Sequence, residues 1–127
     1  MTAPGELARF AVDFAMAIGD IAGRARQPGF TSDAWQELAQ GVAIDDFSYI
    51  GRDKTALRWP DFLDRIDRWS RVTDFVSVVE RVEPGGNLVF LQLDEHSTTA
   101  AGSRQLTTMT IFDFDAAGCL RRIDSFS

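Results

Sequence analysis

The last third of the chain carries three short turn signals, Pro84-Gly85-Gly86-Asn87, Ala100-Ala101-Gly102 and Asp115-Ala116-Ala117-Gly118, each set between apolar-rich runs with a period of two. Connections this short join antiparallel neighbours, because a parallel crossover needs a dozen or more residues. The runs Phe75 to Val82, Leu88 to Ser97, Gln105 to Phe114 and Leu120 to Phe126 therefore read as four strands of one meander.

Ahead of the meander the apolar period is helical. Leu7, Phe10, Phe14, Ala17, Ile18 and Ile21 share one stripe of a helix from about Pro4 to Arg24, which Gln27-Pro28-Gly29 ends. A second short helix is predicted from Asp33, with Gln36 completing a capping box, to Gly41; Trp35, Leu38 and Ala39 would face inward. Val42 to Ile50 reads as a strand bulged at Asp45-Asp46, and Pro60 to Ser70 as a third helix with Phe62, Leu63, Ile66 and Trp69 on its apolar face. Helix, helix, strand, helix and four strands predict an α+β fold, with N-terminal helices packed on a strongly curved, mostly antiparallel sheet that forms a cone.

A length of 127 residues suits one domain spanning 1–127. The net charge of −6 argues against nucleic acid, whose phosphates require clustered cations. Arg65, Arg68 and Arg71 alternate with Asp61, Asp64 and Asp67, the pattern of a solvated helix face. One cysteine and one histidine permit no internal disulfide and supply no recognised metal-ligand spacing. The glycines fall in turns between strands, so no phosphate-cradling loop and no cofactor are expected. A reducing, cytoplasmic setting is the expectation from the cysteine count. Glu6, Arg9 and Asp13 argue against a signal peptide, and no apolar run approaches the ~18 residues of a membrane span. Ten Phe and three Trp against one Tyr could line a cavity as well as fill a core.

Two segments carry a family likeness: Trp35-Gln36-Glu37-Leu38-Ala39 leading to Ile44-Asp45-Asp46-Phe47, and Ile111-Phe112-Asp113-Phe114-Asp115-Ala116-Ala117-Gly118-Cys119-Leu120. With the element order, they resemble the nuclear-transport-factor-2-like (NTF2-like) superfamily, which includes ketosteroid isomerases, SnoaL-like polyketide cyclases and limonene epoxide hydrolases. The resemblance implies a cystatin-like cone around a deep apolar cavity, often in a homodimer packed sheet against sheet. Apolar residues on both faces of the strands from Leu88 and Gln105 independently call for a cover on the second face, and a second copy of the chain would supply it. The expected partners are thus an apolar small molecule and a second copy, with neither nucleic acid nor membrane. Acid–base catalysis of the polyketide-cyclase type is one expectation. A non-catalytic binding or assembly module, such as a dioxygenase small-subunit-like dimerisation domain, is the other.

Aligned on the ketosteroid isomerase pattern, the base position falls at Gly51 and the acid position at Thr110. Neither residue can do that work, so steroid isomerisation is not expected. His96 reads as a general base at the cavity mouth or as a surface residue in the polar run Asp94-Glu95-His96-Ser97. Asp124 is an acid or base if it faces inward, and a solvated carboxylate if it faces out. Phe10, Phe14, Trp69 and Phe112 are candidate pocket walls, with Thr110 as a polar mark among them. Trp59 and Trp69 flank the third helix, where they would roof the entrance or belong to the core. Tyr49 could donate a hydrogen bond to a ligand carbonyl or pack in the core.

Overall fold

A computed structural model describes residues 4–127. Helix α1 spans Pro4–Arg24, and a 3-10 helix over Ser32–Ala39 follows. A short 3-10 turn, Ile44–Asp46, leads to β1 (Ser48–Ile50) and β2 (Ala56–Leu57). Helix α2 covers Trp59–Ser70, and the chain ends with β3 (Asp74–Gly85), β4 (Leu88–Thr99), β5 (Gly102–Phe114) and β6 (Leu120–Phe126). The sheet order is β2-β1-β6-β5-β4-β3. The meander β3 to β6 is antiparallel throughout, whereas β1 joins the edge of β6 in parallel. This is the predicted α+β architecture, and the sheet wraps around the helices as a cone.

Two local expectations need correction, and one short strand was not foreseen. The second helix is 3-10 rather than α, and its N-cap Thr31 makes no side-chain hydrogen bond. An eight-residue segment gains little from local bonding, and this one is held instead by Trp35 and Leu38, both buried, and by the Trp35 Nε1–H donating to Asp67 Oδ1 at 3.0 Å. The strand expected over Val42 to Ile50 is broken: Val42 makes an isolated bridge to Leu120, and only Ser48–Ile50 pair as a strand. The doubled Asp45-Asp46 occupies the intervening 3-10 turn, where its carboxylates stay in solvent. Strand β2 carried no sequence signal, being two residues long.

The core lies between helices and sheet. Its closed end is aromatic: Phe10 stacks on Phe14 at 6.1 Å and meets Phe114 edge-on at 5.7 Å. Gly41 is required there. Its φ is +79°, and a Cβ would stand 2.5 Å from the Phe10 ring. A second cluster joins Phe47, Trp59, Phe62 and Tyr49 beneath α2. Along β4, Val89, Leu91 and Leu93 point into the core, at most 6% exposed, so the intervening Phe90, Gln92 and Asp94 face outward. Among the described residues no helix is long and apolar enough to cross a membrane.

Candidate active site

A cavity of about 510 Å³ lies between the two α-helices and the helix-facing side of the sheet. Phe14 of α1, Phe62, Ile66 and Trp69 of α2, and Phe112 of β5 form much of its apolar wall. Phe14 and Phe112 touch edge-on at 5.9 Å, and Phe75 is set edge-on against Trp69 at 4.7 Å. These contacts brace the aromatic walls without closing the space between them.

Strand register brings polar groups into the same space. Across the sheet Ser77, Glu95 and Leu106 form one row, and Phe75, Ser97 and Arg104 the next. Ser125 pairs with Thr110, and both line the cavity. Tyr49, opposite Ile123 on the parallel edge, also lines it, with Arg52 and Arg65 nearby in the wall.

Glu95 is the one carboxyl that this register sets in the cavity wall among the described residues. The inward series Val89, Leu91, Leu93 continues to it, so an apolar run ends in a carboxyl. Burial pushes its pKa above the ordinary glutamate value, and the Thr108 hydroxyl offsets part of that rise. That hydroxyl is buried and has no hydrogen-bond partner of normal geometry. Burial also raises the Tyr49 phenol; Ser125 beside it opposes the rise, the nearby Glu95 charge adds to it, and Arg65 opposes it. Glu95 and Tyr49 line the same cavity.

Gly51 acquires a physical explanation. A Cβ there would lie 3.1 Å from the Tyr49 ring and 3.3 Å from its hydroxyl. The volume that a side chain at position 51 would need is filled by the phenol.

Five of the expected pocket residues, Phe14, Tyr49, Trp69, Thr110 and Phe112, line the cavity. Phe10 belongs instead to the closed end over Gly41. Trp59, 4% exposed, packs on Phe47 at 5.0 Å and is core rather than roof. His96 and Asp124 lie on the opposite face of the sheet. His96 pairs across β3 with the exposed Val76, and its Nε2 is 3.2 Å from Asp94 Oδ2. Asp124 accepts from Arg122 Nε at 2.9 Å, while its neighbour Ser125 turns inward. Since alternate strand residues point to opposite faces, the cavity side of β4 carries Glu95, which was not among the sequence candidates, and not His96. The signal was present in the uninterrupted apolar set Val89, Leu91, Leu93.

No protein-family model matches the sequence, and no curated protein matches it significantly. Solved structures do match in fold. The epoxide hydrolase/cyclase-like enzyme SalBIII, described in pyran ring formation in the polyether salinomycin, superposes with a TM-score of 0.75 at 9% identity, covering 99% of this chain and 93% of that one. BvnE pinacolase from Penicillium brevicompactum gives 0.73 at 14% identity, over 96% and 85% of the two chains. An NTF2-like protein of unknown function from Exiguobacterium sp. 255-15 gives 0.65 at 13% identity, over 88% and 95%. The chain has the NTF2-like fold.

Proposed function

We propose that this chain binds an apolar small molecule in the cavity and performs acid–base chemistry on it through Glu95, with Tyr49 as hydrogen-bond donor. The observation that carries this reading is a half-buried carboxyl at the end of an apolar strand face, across a hollow from a phenol. A pocket of this size, mostly apolar with a few convergent polar groups, is the usual form of a small-molecule site. Burial favours the neutral acid, so Glu95 can give a proton to a ligand oxygen and, as carboxylate, take one back from ligand carbon or water. Fold neighbours described as a cyclase-like enzyme and a pinacolase are compatible with such chemistry.

The outer sheet face supports self-association. Val76, Val78, Met109 and Phe126 are 58%, 52%, 38% and 43% exposed, and the register gathers them on the side away from the cavity. A homodimer that packs these faces together is part of the proposal.

Native mass spectrometry of freshly purified protein tests both parts. The expected result is a dimer that retains a small organic molecule, which a cavity-filling Leu93→Trp variant does not retain. Monomers throughout the micromolar range would overturn the self-association. Carbon-13 NMR titration of the Glu95 carboxyl tests the acid–base role. An apparent pKa no higher than the ordinary glutamate value would remove it.

A further inference from the structure

We propose that the ligand carries an anionic group, a carboxylate in the simplest case, which Arg52 and Arg104 receive at the cavity rim while the apolar body lies against Phe14, Trp69 and Phe112. The inference deepens the small-molecule reading above and rests on it.

The argument begins with charge. The chain has 19 acidic against 13 basic side chains, so carboxylates are plentiful. Eight arginines, residues 24, 26, 65, 68, 71, 81, 121 and 122, each have one within 3.7 Å. Among the described residues Arg52 and Arg104 have none, although both line the cavity. Arg52 donates instead to a neutral group, the Ser127 hydroxyl, from Nε at 2.8 Å. The Arg104 side chain makes no hydrogen bond or ion pair among the described residues, and the residue stands opposite Ser97 on the cavity face. The other arginines without a carboxylate partner are Arg9 and Arg58, which do not line the cavity; Arg58 donates to the Asp45 carbonyl.

The cavity wall therefore reverses the sign of the molecule. It contains three arginines, at positions 52, 65 and 104, and one carboxyl, Glu95. Arg65 is matched by Asp53 at 3.4 Å, which leaves the other two to meet a ligand. Low-dielectric walls focus such a potential at the mouth, and guanidinium forks fit a carboxylate through paired N–H donors. The hydroxyls of Ser77 and Ser97, also in the wall, add donors on the Arg104 side. Burial holds the Glu95 carboxyl toward its neutral form, so it opposes an entering anion weakly.

The test is a matched pair of probes titrated by calorimetry into the full chain: naphthaleneacetate and its neutral isostere naphthaleneacetamide. The wild type is expected to bind the acid about tenfold more tightly than the amide. Arg104→Gln and Arg52→Gln should each reduce that preference to about threefold, leaving amide affinity within about twofold, as expected for partly exposed guanidinium contacts. Raising the salt concentration should weaken the acid alone. Equal binding of the two probes, or equal losses for both in the arginine variants, would overturn the anion assignment and leave small-molecule binding standing. If neither probe binds, both readings fall together.

Discussion

Replacing Asp67 by alanine should loosen the helix that roofs the cavity. Asp67 lies on the polar face of α2, yet its side chain is only 14% exposed, because three donors converge on it. Trp35 Nε1 donates at 3.0 Å, Ser32 Oγ at 3.1 Å and Arg71 Nε at 3.1 Å. The first of these ties the 3-10 segment to α2. Trp35 is 1% exposed, so its stranded indole N–H would cost about 1–3 kcal/mol, and the two more exposed contacts about 0.2–1 kcal/mol each. The alanine variant should therefore lose roughly 2–4 kcal/mol in urea unfolding, or on the order of 10 °C in Tm for a chain of this length. Asp67→Asn keeps an acceptor for Trp35 and should lose about half as much.

The same carboxylate gives the pH dependence a sign. Burial alone would raise the Asp67 pKa, but the bonds from Arg71, Trp35 and Ser32 outweigh it and leave the value below that of an ordinary aspartate. A group depressed in the folded state stabilises above its unfolded pKa, and that contribution is lost as pH falls through the folded value. Wild type and Asp67→Ala should thus converge in stability only in acid, below the ordinary aspartate range. An alanine variant within about 0.5 kcal/mol of wild type at neutral pH would refute the reasoning.

Gly41→Ala should cost about 2–4 kcal/mol, since φ of +79° disfavours any Cβ and the Phe10 ring would have to move within a packed aromatic cluster; an unchanged urea midpoint would show that this end of the core is loose. Thr108→Val removes a buried hydroxyl with no hydrogen-bond partner, so stability should hold or rise by up to about 1 kcal/mol. A clear loss of stability would contradict the geometry given for this hydroxyl.

The meander was legible because its signals are local. Four period-two runs separated by short turns admit one arrangement, and β6 has the limits expected from sequence, Leu120–Phe126. The first half was less legible where tertiary contacts outweigh propensity. Trp35 holds its segment through Asp67, 32 residues away, and β1 exists because an edge of β6 is there to pair with it. At the site, the aromatic walls followed from helical stripes and strand alternation. Of the polar groups, Tyr49 and Thr110 were among the candidates, but Glu95 and Ser125 were not, because β4 and β5 carry apolar residues on both faces. The burial of Val89, Leu91 and Leu93, at most 6% exposed, decides which face is inner, and with it the exchange of His96 for Glu95 and of Asp124 for Ser125.

The most direct test of ligand binding beside Glu95 is a chemical-shift map of the isotopically labelled protein with naphthaleneacetamide, a neutral probe that does not require the rim charges. The perturbed signals should belong to Phe14, Trp69, Phe75, Leu93, Glu95 and Phe112, while Val76, Val78 and His96 on the other face stay still. Shifts confined to that outer face, or none at a millimolar excess of probe, would contradict the assignment of the cavity as the site.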